Sequence, residues 1–102
     1  MIVRVGDDGS VAVEDVDVLD RFHVEASGLT MAAVVAALES AGAGTGHSAE
    51  QVAVEPGFLR LAAGTSASDD WQRGFDGMLG HARSKGWVDE ASRLLAHVEH
   101  LG

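Results

Sequence analysis

VDEASRLLAHVEHLG, residues 88–102, reads two ways, and the choice decides the fold. Taken as a helix, Val88, Ala91, Leu94, Leu95, Val98 and Leu101 form one apolar stripe at helical spacing. Taken as a strand from about Arg93, it turns Ala96 and Val98 inward and His97 and Glu99 outward. Periodicity alone favours the helix. A second stretch, RFHVEA at residues 21–26, carries the same His-Val-Glu and alternates cleanly. Phe22, Val24 and Ala26 fall on one side of it, Arg21, His23 and Glu25 on the other, as in a half-buried strand. That echo tips the tail towards a strand. Either choice leaves a single α+β domain over residues 1–102, expected as a small antiparallel sheet with helices packed on one face.

The remaining elements follow outward from these two segments. Ile2–Val5 and VAV at 11–13 flank GDDGS, whose Asp-Gly signal predicts a hairpin. MAAVVAALESAGAG, from Met31, follows a capping Thr30 or Ser27 and ends at Gly42 and Gly44. Its Met31, Val34, Val35 and Leu38 form a face, but alanines fill the rest, which predicts a helix buried against more than one neighbour. GTGHSAE reads as loop and QVAV (51–54) as a strand. Pro56 opens a short helix that Gly64 closes. A longer helix runs from Asp69 to near Lys85 with Gly86 beyond it, its stripe being Trp71, Phe75, Met78, Leu79 and Ala82. Trp87, just past the cap glycine, is expected to close that helix end against the core, the alternative being an exposed anchor for a partner.

The totals exclude several functions. The chain has no cysteine, so disulfides, thiolate zinc sites and thiol chemistry are out. A net charge of -9 repels phosphate backbones and anionic lipid, so neither nucleic acid nor a membrane is an expected partner. MIVRVGDDG lacks the apolar core of a signal peptide, and the longest apolar run, Met31 to Leu38, is too short to span a bilayer. A soluble cytoplasmic protein is the expectation. EDVDVLD (14–20) lacks the ordered spacing and turn glycine of a calcium loop. It offers instead an acidic patch by which an accessory subunit would dock on a basic partner.

Few motifs carry chemistry. If residues 21–26 and 95–100 are neighbouring antiparallel strands, His23, Glu25, His97 and Glu99 share the outer sheet face. Imidazole and carboxylate together suit zinc and similar divalent metals. The bland alternative is a set of cross-strand pairs on a solvated face, and it carries more weight. HVEH is not the helical HExxH motif, since its histidines are three apart and its glutamate is misplaced. Gly74, Gly77 and Gly80 each cost the long helix about 1 kcal/mol. Close packing explains them best, and a ligand crevice lined by Trp71, Gly74, Gly77 and His81 is the functional alternative. GAGTG (42–46) closes a helix rather than opening one, so it is no phosphate cradle. The histidines lack an identifiable Ser or Cys partner, so nucleophilic catalysis has no sequence support.

RFHVEASGLTMAAVVAALESAGAG, followed by WQRGFDGMLGHARSKGW and AHVEH, resembles a group of small acidic proteins from actinobacteria. No activity attaches to that group; the resemblance implies only an extended tail. The expected function is binding, with a protein partner or a second copy as homodimer. No cofactor is expected. The alternative is an enzyme that uses a small molecule, or a divalent metal such as zinc, at the His/Glu cluster.

Overall fold

The computed structural model describes residues 1–101. β1 (Ile2–Val5) and β2 (Val11–Glu14) form the expected hairpin, and β3 (His23–Ser27) follows. α1 (Met31–Ala41) leads to β4 (Gly44–Gly46) and β5 (Gln51–Val54). α2 (Pro56–Ala63), a 3-10 turn and α3 (Asp69–Ser84) precede β6 (Leu94–Leu101). The tail is therefore a strand. β4 corrects the reading of GTGHSAE as loop: Gly44 lies so close to the neighbouring strand that a Cβ there would stand 2.2 Å from the Ala53 carbonyl oxygen. A glycine-rich edge strand leaves little sequence signal.

The six strands lie in the order β2-β1-β3-β6-β5-β4. The sheet is mixed, which corrects the antiparallel expectation. β1 and β3 run parallel, as do β3 and β6, while the remaining neighbours are antiparallel. The cause lies in the connection at 15–22. β2 ends beside Ile2, and the chain then passes beneath the start of β1, so β3 enters at the same end as β1 and in the same direction. The Met1 amine holds that passage by donating to the carbonyls of Val18 and Arg21, each at 2.6 Å. α1 touches β1 and β2 near one edge of the sheet and β4 at the other, so the sheet curls.

Alternation along the strands builds the core. Val3, Val5, Val24, Ala26, Val52, Val54, Leu94, Ala96 and Val98 are buried in one cluster with Val34, Leu38, Leu59, Phe75 and Leu79 of the helices. Phe75 has no exposed surface; it stacks on Trp71 at 4.9 Å on one side and meets the Arg60 guanidinium at 4.7 Å. Arg60 also pairs with Asp76 at 2.6 Å and so ties α2 to α3. Thr30 caps α1 by accepting from the Ala33 amide, and Gly42 closes it with a left-handed φ of 69°. Ala32 and Ala36 are exposed, so α1 has a wet face of alanines and is not buried all round.

Two expectations about α3 change. Gly74 is a packing residue, because an added Cβ would stand 2.8 Å from Leu19 Cδ1. Gly77 and Gly80 meet nothing within 4 Å and have no packing cause. Trp87 does not close the helix end against the core. Its backbone amide bonds to the Ala82 carbonyl at 2.8 Å, but its side chain turns outward and the residue is 52% exposed.

Candidate functional site

The two His-Val-Glu segments are neighbours, though parallel rather than antiparallel, and they are in register. Val24 lies opposite Val98 and Glu25 opposite Glu99. The two valines are buried, and the polar residues on either side of each turn to the opposite face. There His23 Nε2 lies 2.7 Å from Glu25 Oε2 and 3.8 Å from Glu99 Oε2. Arg4 of β1 donates to the other oxygen of Glu25 at 2.9 Å and also grips Glu14 of β2 at 2.9 and 3.0 Å. A chain of charges thus crosses four strands.

Three of the four predicted metal ligands come together. One ligand atom each from His23, Glu25 and Glu99 lies within 4.8 Å of the others. His97 shares their face but stays exposed and outside that group. The arrangement favours an ionised Glu25. Hydrogen bonding from His23 pulls its carboxyl below the usual glutamate value, burial pushes it the other way, and Arg4 adds to the lowering.

The predicted crevice on α3 does not assemble around Trp71. That ring is buried against Phe75, with its indole N–H donating to the Val16 carbonyl at 2.8 Å, and Leu19 fills the space beside Gly74. One turn further along, the helix borders a real cleft of about 530 Å³. Leu19, Asp20 and Phe22 from the connection after β2 form one wall, Met78, His81 and Ala82 of α3 a second. Trp87, Leu94 and Leu95 complete it. Of the predicted crevice residues only His81 lines this space, with its ring edge-on to Trp87 at 5.7 Å.

The sequence signal for this cleft is SKGW, where Trp87 follows the helix-ending glycine and takes the exposed position rather than the core one. Gly86, with φ 75°, follows a helix end whose carbonyls are already taken by the amides of Lys85, Gly86 and Trp87. The indole itself stands half exposed in the cleft rather than over that helix end. Trp87 instead pairs by its carbonyl with the Leu95 amide at 2.9 Å, beside the start of β6. Parallel β3 and β6 bring Phe22 and Leu94 to the same end of the sheet, which an antiparallel pair would have separated.

The acidic stretch 14–20 is less free than its composition suggests. Glu14 is committed to Arg4, and the backbone at Val16, Val18 and Arg21 is tied to Trp71 and Met1. No described helix is long and apolar enough to cross a membrane. The chain matches no protein-family model, no curated protein and no solved structure.

Proposed function

We propose that this protein acts by binding rather than by catalysis, and that the cleft beside Trp87 receives a small, largely apolar molecule. One observation carries the reading: a half-exposed tryptophan stands in a cleft walled by three separate chain segments. Its volume lies within the range of small-ligand sites, about 300–1,000 Å³, and its lining is mainly aliphatic and aromatic as such sites are. Asp20 and His81 are the ionisable side chains in the lining, few enough to orient a ligand without flooding the site. The net charge of -9 disfavours anionic ligands and nucleic acid.

The test is titration with Nile red, a neutral dye that brightens in apolar surroundings. One saturable site is expected, with a blue-shifted emission and affinity lowered at least tenfold in Trp87→Ala and in Met78→Lys. Equal binding by both variants would overturn the assignment. Self-association belongs to the same proposal. Its support is the β2 edge, Val11–Glu14, which pairs with β1 on one side only among the described residues. Light scattering on the same sample is expected to return twice the chain mass of 10.6 kDa, and the single-chain mass at high micromolar concentration would remove the dimer.

A further inference from the structure

We propose that the paired His-Val-Glu segments form a binding site for a divalent transition ion of the zinc type, with His23, Glu25 and Glu99 as ligands and the exposed His97 side chain turning in as the fourth. This site lies apart from the cleft, and strand register builds it. Two identical tripeptides on adjacent parallel strands place like residues side by side, Glu25 against Glu99, with His23 and His97 one position earlier on the same face. Neighbouring strands lie about 4.8 Å apart and same-face residues about 6.6 Å apart along a strand. Four side chains long enough to meet above such a rectangle can share one ion.

The distances support this. Ligand atoms about 2.0–2.2 Å from a tetrahedral ion stand about 3.3 Å from one another. His23 Nε2 lies 2.7 Å from Glu25 Oε2 and 3.8 Å from Glu99 Oε2, so one gap opens and the other closes by about half an ångström. An ion takes the place of the hydrogen bond between His23 and Glu25. Arg4 acts on Glu25 as an outer-shell partner does, holding Oε1 and leaving Oε2 towards the site. The backbone frame is rigid, because Val24 and Val98 are buried beneath these side chains.

Charge gives a second reason. Glu25 and Glu99 stand directly opposite one another, an arrangement that costs stability when both are ionised and unscreened. A divalent ion between them removes that cost, and neutral imidazole completes a mixed nitrogen and oxygen donor set. Imidazole is a poor ligand for calcium or magnesium, so the site selects zinc, cobalt or nickel over those ions.

The test is calorimetric titration of the full, untagged chain with Zn²⁺ near neutral pH, repeated with Co²⁺ for its visible spectrum. The expected result is one ion per chain, with affinity falling at least tenfold in Glu99→Gln and again in His97→Ala. His47→Ala, whose side chain lies outside the cluster, is expected to bind as the parent does. Glu99 is half exposed, so its variant is expected to keep the parent circular dichroism spectrum. Binding that Glu99→Gln leaves unchanged would overturn the site and mark the ion as adventitious, as would the absence of stoichiometric binding in the parent.

Discussion

Glu25 is held from both sides, by His23 at 2.7 Å and by Arg4 at 2.9 Å, while its neighbour Glu99 lies half exposed. The sign of its effect on stability follows from its lowered pKa. A carboxyl whose folded value lies below its unfolded one stabilises the fold fully above the ordinary glutamate range. That contribution is lost as pH falls through the folded value. Denaturant unfolding followed from about pH 6 down to about pH 3 is expected to show the parent losing more stability than Glu25→Gln. Parallel curves would show that these contacts do not favour the charged form. At this scale the sequence was informative about type and face: the outward position of His23 and Glu25 is legible from alternation, and that of His97 and Glu99 follows once the repeated His-Val-Glu marks the tail as a strand. It was silent on Arg4, whose partners lie on β2 and β3 and share no local pattern with it.

β6 shows how a helical period yields to local hydrogen bonding. Residues 88–101 keep an apolar stripe fit for a helix, but Asp89 breaks it. Its Oδ1 accepts from the amides of Ala91 and Arg93 at 3.0 and 2.8 Å, and its Oδ2 accepts from Arg93 Nε at 2.7 Å. Ser92 takes a left-handed φ of 62° to complete the turn, and the strand begins at Leu94. Asp89 is mostly covered; burial pushes its carboxyl up, but the donors from Arg93 and Ala91 outweigh this and leave it below the usual aspartate value. Asp89→Ala is expected to cost about 1–3 kcal/mol, because it leaves amides of the turn without their acceptor. Asp89→Asn, which keeps one acceptor oxygen, is expected to lose less. Comparable losses in thermal unfolding for both would place the turn's stability elsewhere. The turn itself was hard to read, since aspartate and serine three apart also suit the start of a helix.

For the whole molecule, strand direction is what joins the two sites. Alternation looks alike in parallel and antiparallel strands, so element identity and the buried face were legible while direction was not. The connection at 15–22 sets the direction of β3, and its anchors are backbone carbonyls and an amine, groups present in every sequence. With β3 and β6 parallel, Phe22, Leu94 and Leu95 meet at one end to line the cleft, and the two His-Val-Glu segments align residue for residue above the core. With them antiparallel, neither arrangement exists. The decisive measurement is the set of inter-strand nuclear Overhauser contacts between β3 and β6 in solution. Parallel strands are expected to give backbone contacts that advance together, Val24 with Val98 and then Ala26 with His100. Contacts that run in opposite directions, with His23 near Leu101 and Ser27 near His97, would contradict that arrangement.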